Sequence, residues 1–327
     1  MVESGGVNVP SLPVSTDPIE RLCSLRDSLK DAWVTLDREH LQFFEGIFEG
    51  IDGRDKAILE VGSGFGLTCL LFAILGAKEA HGIELIDRAV KEANRLRDTL
   101  NHDLPAFFTQ HNAAEPLPFP DGRFDALLLV EVISHVVTAD FPGFMSEMSR
   151  VIKPGGVIYI SDGNNGYSPH RRKVNQEIWN RFENGPPTAP GETIHTHQVR
   201  KPYIDSRREI AQAAALSLTD EQSRQIAANT FCYTAEQVQQ AAVAYAKTGE
   251  LPQSRFAKGI CPIEPVTNMY IEKMFDPFAL CRLLKDNGFT IELLTTRRAL
   301  PFQRILDALP HLTMLISNGF VIMARKV

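Results

Sequence analysis

Cysteine, positive charge and long apolar runs are all scarce in this chain of 327 residues. The five cysteines (Cys23, Cys69, Cys232, Cys261, Cys281) form no C-x-x-C pair. That set argues against a disulfide frame and a zinc site, and for reduced thiols in the cytoplasm. No apolar stretch approaches the ~20 residues that a membrane helix needs, so no membrane partner is expected. Met1–Pro18 lacks the basic start and apolar run of a signal peptide, and its Ser, Gly, Pro and Val suggest a flexible N-terminus. Lys and Arg number 34 against 40 Asp and Glu, a formal net charge of −6. Phosphate binding is driven by clustered Lys and Arg. Arg171-Arg172-Lys173 and Arg207-Arg208 are short clusters without a longer basic stripe, so nucleic acid is not the expected partner. What remains, 44% hydrophobic and 23% charged residues, suits a soluble globular protein of one large or two modest domains.

Strand and helix patterns alternate through the first half of the chain. Residues 19–50 place Ile19, Leu22, Leu25, Leu29 and Trp33, then Leu41, Phe44 and Phe48, at helical spacing. Strands are expected at Ala57–Val61, Ala80–Leu85, Phe107–Gln110, Phe124–Val130 and Val157–Ser161. Helices begin near Leu67, at Asp87 and after Asp140, where Pro142 suits the first turn. This rhythm implies a parallel sheet with crossover helices. It breaks at Gly163. From there to about Tyr270 the chain is rich in Pro, Asn, Arg and Gln, with helices expected only near Arg171–Phe182 and Ala235–Thr248. It resumes with a helix over Pro277–Asn287 and strands over Phe289–Leu294 and Gly319–Arg325.

The run Ile58-Leu59-Glu60-Val61-Gly62-Ser63-Gly64-Phe65-Gly66 reads as a buried strand, a glycine-dense turn and a helix start, the nucleotide-binding corner of a doubly wound sheet. Glycine there lets the backbone turn sharply and lets a ligand approach where a Cβ would block it. The spacing is G-x-G-x-G, whereas dinucleotide sites use G-x-G-x-x-G, and Glu60 stands just ahead of it. A carboxylate so placed repels a pyrophosphate and favours the ammonium and sulfonium of S-adenosylmethionine. The run resembles motif I of the class I S-adenosylmethionine-dependent methyltransferases. Glu84, 18 positions after Gly66 at a strand end, suits both ribose hydroxyls, and an acidic residue there serves either cofactor. A plain solvated carboxylate is the alternative.

Further segments carry the resemblance. His111-Asn112-Ala113-Ala114-Glu115 is similar to the family's adenine-holding segment, with Asn112 in place of the usual Asp; its amide oxygen accepts as a carboxylate would. Asp121-Gly122-Arg123-Phe124-Asp125 with Glu131 and His135 resembles the fourth-strand motif, and Leu117-Pro118-Phe119-Pro120 precedes it. Arg150-Val151-Ile152-Lys153-Pro154-Gly155-Gly156 resembles the link into the fifth strand. These match the small-molecule branch related to ubiquinone and sterol methyltransferases. The resemblance implies a seven-stranded, doubly wound (Rossmann-like) α/β sheet whose last strand is antiparallel, formed by residues 57–162 and 271–327. A largely helical and loop insertion, residues 163–270, would bind the acceptor. A helical lid, residues 19–56, would cover the cofactor, with His40, Phe43 and Phe44 as lid residues. The cofactor would be held by Glu60, Gly62, Ser63, Gly64, Gly66, Glu84, Leu85, Asn112, Ala113, Ala114 and Glu131.

Methyl transfer needs proximity and orientation, and a base only when the acceptor is protonated. His135, Asp162 and Tyr203 are the catalytic candidates. His135 also reads as a packing residue, and Asp162 with Asn164 and Asn165 as an ordinary turn. Arg207-Arg208 beside Tyr203 suits either an anionic acceptor or a plain helix start. His170, His195 and His197 lack the cysteine or carboxylate partners of a metal site, so no metal is expected. The implied activity is methyl transfer to an oxygen or nitrogen of a small polar metabolite, saccharide or natural-product precursor. A protein or RNA methyltransferase, and an inactive S-adenosylmethionine-fold binding partner, stand as alternatives.

Overall fold

The structure, a computed structural model, describes residues 44, 46–100, 103–255, 259–297, 306 and 308–327. The expected helical segment before residue 44, with His40 and Phe43, lies outside the described residues.

Seven strands form one sheet: β1 (Ala57–Val61), β2 (Glu79–Glu84), β3 (Ala106–Gln110), β4 (Phe124–Val130), β5 (Ile152–Asp162), β8 (Phe289–Thr295) and β9 (Phe320–Lys326). Their order is β3-β2-β1-β4-β5-β9-β8. Only β9 runs against the others, pairing antiparallel with both β5 and β8. This is the doubly wound sheet expected from the sequence. β1 is buried along its whole length because both faces are covered. Ile58 packs among α1 (Leu67–Ile74), α2 (Asp87–Leu100) and residues 44–51. Ala57, Leu59 and Val61 face α3 (Phe141–Val151) and the later α8 (Pro277–Asp286).

Two of the sequence motifs are explained by the sheet's construction. Arg150, in the last turn of α3, donates to the carbonyls of Leu117 and Phe119 and to Asp121 and Glu147. It thereby clamps the Pro-rich loop that precedes β4. Asp125 accepts from the Ala57 N–H and from Lys153 Nζ, at 2.9 and 2.8 Å, tying the starts of β1 and β5 to β4. Asp140 caps α3 through Gly143 N at 2.9 Å, with Pro142 in the first turn as expected.

The segment after β5 holds four helices rather than the two expected: α4 (Pro169–Asn184), α5 (Tyr203–Ala214), α6 (Asp220–Asn229) and α7 (Ala235–Thr248). A ribbon of β6 (Ile263–Glu264) and β7 (Met269–Tyr270) follows. The last three helices share a small core of Ala211, Ile226, Val238 and Ala242. A buried ion pair joins them to α4. Arg207 of α5, 1% exposed, meets Glu183 of α4 and donates to the Ala227 carbonyl of α6 at 3.1 Å. Arg207 is therefore a strut inside the cap, not a ligand-facing residue. The strands return to the sheet edge through Tyr270 N–H to His135 O and Lys273 N–H to Ser134 O. Phe44, Ile47, Phe48 and Ile51 are core residues around Phe72, so Phe44 is not available as a lid.

Candidate cofactor and acceptor site

The glycine turn joins β1 to α1 at the carboxyl edge of the sheet. Gly62, Gly64 and Gly66 have φ of 73°, 52° and 77°, a region that side chains with a Cβ avoid. Their surroundings differ. A Cβ on Gly62 would lie 2.3 Å from Val132 Cγ2, and one on Gly66 2.4 Å from the Phe108 ring. A Cβ on Gly64 would meet nothing within 4 Å. Gly62 and Gly66 thus serve close packing, and Gly64 alone faces open space. Its N–H donates to Glu84 Oε2 at 2.9 Å, while Glu84 Oε1 accepts from Ile86 N at 2.9 Å. Each oxygen keeps a second lone pair for a ligand hydroxyl.

Glu60 works differently from a ligand-facing carboxylate. It is buried and accepts from Thr68 and Cys69 in the first turn of α1, where the N-cap Gly66 offers no side chain. It therefore caps that helix from below the turn. Burial pushes its carboxyl up to about 7 despite those hydrogen bonds. A helix N-terminus already answered by a carboxylate is a poor seat for a pyrophosphate. Ser63 is also buried, with its hydroxyl beside Gly82 and without a partner. It faces β2 rather than the open side of the turn.

At the end of β3, Asn112 Oδ1 accepts from Ala114 N at 3.1 Å. This Asx turn engages the Ala114 N–H, which leaves Ala113 as the backbone donor of that pair. Leu85 is half-buried, and its carbonyl accepts from Gln110 Nε2 at 3.2 Å.

The ends of β4 and β5 meet the cap. Glu131 has φ of 53° and pairs with Arg297 at 3.1 Å. Burial, and then the neighbouring Asp162 carboxylate, push its carboxyl up to about 8. Asp162 is fully buried; it accepts from Ser134 N and from both the backbone and side-chain nitrogens of Asn164. Burial raises its pKa against those hydrogen bonds. Oδ1 is thus taken by its own turn and Oδ2 by the loop after β4. His135 Nδ1 meets the Tyr270 carbonyl at 2.9 Å. A carbonyl only accepts, so Nδ1 carries the proton and Nε2 keeps its lone pair. Tyr203 is buried beside Phe182 in the cap, and burial raises its phenol above the usual range.

Glu272 joins these groups, and no local pattern marks it in the sequence. Its carboxylate meets Asn164 Nδ2 and His197 Nε2, the latter at 3.2 Å, with Arg171 at 3.9 Å. Its backbone carbonyl is held by Asn175 and Trp179. Glu272 fixes His197 as the Nε2–H tautomer, and burial lowers the pKa of His197. Ser161 Oγ and Asn175 Oδ1 are buried nearby without hydrogen-bond partners, and the Ser134 hydroxyl faces the Asp162 carboxylate. Among the described residues no group of His, Cys, Asp and Glu is placed to hold a metal ion.

Residues 59–160, which contain the glycine turn, Glu84, Asn112 and Glu131, match the family profile described as a methyltransferase domain. The matched stretch is a methyltransferase domain. Over 117 residues it is 33% identical to norajmaline N-methyltransferase of Rauvolfia serpentina, covering 36% of this chain and 39% of that one. Over 107 residues it is 35% identical to 2-methyl-6-phytyl-1,4-hydroquinone methyltransferase of a Synechocystis species, 33% and 32% of the two chains. Fatty-acid O-methyltransferase of Mycolicibacterium smegmatis is 30% identical over 133 residues, 40% and 46%. The chain spans less than half the length of these three relatives. The shared part is the methyltransferase domain. In that domain Gly64 and Glu84 form the open cradle, and its cofactor is S-adenosylmethionine.

Proposed function

We propose that this chain is a methyltransferase that moves the methyl group of S-adenosylmethionine to an oxygen or nitrogen of a small polar molecule, such as a metabolite, saccharide or natural-product precursor. The observation that carries the reading is the cradle at Gly64, open on the ligand side and backed by Glu84. Glu84 would accept from the ribose hydroxyls and the Ala113 N–H would meet the adenine. The cofactor supplies an electrophilic methyl group for in-line displacement.

The chain's own residues would orient the acceptor and take its proton. His135, with Nε2 as acceptor, and His197, with Nδ1 as acceptor, are the two available bases; one comes from the sheet and the other from the cap. Asp162 and Tyr203 contribute by position, since both are buried in structural contacts. The unpaired Ser161 and Asn175 atoms favour an acceptor with hydrogen-bonding groups. The relatives' names refer to norajmaline, a fatty acid and a phytyl hydroquinone, so acceptor chemistry differs widely around one shared domain.

Calorimetry tests the reading. S-adenosylhomocysteine should bind with an affinity on the order of −7 to −8 kcal/mol, and NAD should not bind measurably. Glu84→Ala should weaken binding by about 1.5–3 kcal/mol. Binding of NAD without S-adenosylhomocysteine would overturn the assignment, and unchanged affinity in Glu84→Ala would remove the ribose role.

A further inference from the structure

The short helix α9 (Pro310–Ile316) lies between β8 and β9 at the carboxyl edge of the sheet. Thr313 and Met314 point into the core. Its other face is apolar and open: Leu309, Leu312, Leu315 and Ile316 are 50%, 48%, 42% and 58% exposed. Leu312, Leu315 and Ile316 share one side of the helix by their i, i+3, i+4 spacing. No Asp, Glu, Lys or Arg lies between Leu309 and Asn318. A soluble surface rarely leaves such a patch without a use.

A basic turn adjoins it. Tyr167 lies tilted against His311 of α9 and meets its Nδ1 through the hydroxyl at 3.2 Å. Ser168 then caps α4, whose first residues are Pro169, His170, Arg171, Arg172 and Lys173. Arg171 turns inward to Asn164, whereas His170, Arg172 and Lys173 are exposed. The next acidic residue is Glu177, which pairs with His195. In a chain of net charge −6, a basic turn beside an exposed apolar helix is an exception to the overall composition. Apolar side chains flanked by Lys and Arg are the pattern that binds the interface of anionic bilayers.

We propose that α9 and the first turn of α4 together form a peripheral contact surface for an anionic phospholipid bilayer. The leucines and Ile316 would enter the headgroup region, and Arg172 and Lys173 would meet lipid phosphates. No helix among the described residues is long and apolar enough to cross a membrane, so this is contact rather than insertion. The proposal concerns lipid binding and does not depend on the methyl acceptor.

Co-sedimentation of the full chain with vesicles tests it. Vesicles of phosphatidylglycerol and phosphatidylcholine in equal parts should bind the protein, and pure phosphatidylcholine vesicles should bind it roughly tenfold more weakly or less. Arg172→Glu with Lys173→Glu should cut binding by roughly tenfold or more. Leu312→Ser with Leu315→Ser should do the same, and Leu312→Asp serves as a second variant; circular dichroism reports that each is folded. Three results would overturn the proposal: no binding to the anionic vesicles, equal binding to both vesicle types, or binding that none of these variants changes. Sedimentation velocity adds a fourth: a self-associated protein that Leu312→Ser with Leu315→Ser disperses would assign the face to a second copy of the chain.

Discussion

Replacing each glycine of the turn by alanine separates packing from ligand space. All three positions have positive φ, and an L-residue in that region costs about 1–2 kcal/mol. Restriction of the unfolded chain returns about 0.4–1 kcal/mol of this, so the backbone alone predicts a loss of about 1 kcal/mol at each site. The surroundings then divide the series. At Gly62 and Gly66 the new methyl group would lie 2.3 and 2.4 Å from Val132 and Phe108, and overpacking of that kind adds about 1–3 kcal/mol. At Gly64 nothing lies within 4 Å, so no further cost arises. Urea unfolding without ligand should therefore rank Gly64→Ala as the mildest of the three by about 1–3 kcal/mol. Calorimetry with S-adenosylhomocysteine should reverse the emphasis: Gly64→Ala loses at least about tenfold in affinity, or 1.4 kcal/mol, and Gly64→Val loses more. If Gly64→Ala binds like the parent, or unfolds as readily as Gly66→Ala, the open side of the turn is not the cofactor's seat.

Arg207→Met should cost about 3–5 kcal/mol in urea unfolding, because Glu183 would remain as a buried, unpaired charge. Arg207→Met with Glu183→Leu should recover most of that loss, and a single-variant cost below about 1 kcal/mol would show that the pair is not structural. Stability should fall as pH rises from 5 toward 8, since Glu60 and Glu131 hold their protons up to about 7 and about 8 when folded and to an ordinary 4.5 otherwise; the native state then binds more protons. The Glu60 displacement is worth about 3 kcal/mol at most. The decline of denaturant midpoints across this range should become shallower in Glu60→Gln, with the Glu131 part remaining, and an equally steep decline in that variant would locate the effect elsewhere.

The sheet was legible because its signals are local. β1 and β4 are apolar runs with a single carboxylate each, Glu60 and Asp125; glycines follow β1, and the turn Pro120-Asp121-Gly122 precedes β4. The cap was legible only in part. α5 and α6 bury mainly Tyr203, Arg207 and Ala211, and Ser223, Ile226 and Ala227, which give no periodic stripe of large apolar residues. Local signals for two cap helices do exist, in the capping boxes Thr219–Gln222 and Thr234–Gln237. The role of Arg207 was out of reach, because its partner Glu183 is 24 positions away and a basic pair reads as surface. Glu60 shows a subtler limit. Its position ahead of the glycines is a local pattern, but whether it faces ligand or helix depends on burial.

The turn after β5 shows why the cap is more than an appendage. Asp162-Gly163-Asn164-Asn165-Gly166 has the composition of an ordinary loop, yet its polar atoms reach four separate parts of the chain. Asp162 holds Ser134 of the loop after β4. Asn164 accepts from Arg171 and Asn175 of α4 and donates to Glu272. Asn165 donates to the Met314 and Ser317 carbonyls at the end of α9. Buried polar groups are costly when their partners are removed, so the cap and the sheet edge are each other's solvent. Cutting out the chain between Gly166 and Phe275 would remove Arg171, Asn175 and Glu272 and leave the Asn164 amide without those partners, even though the two ends of the cut, Gly166 N and Phe275 O, lie 2.7 Å apart. A cap that settled on an acceptor would therefore act on the same hydrogen-bond network that fixes Ser134, His135 and Asp162, and no separate linker would be needed to couple acceptor binding to the geometry of the sheet edge.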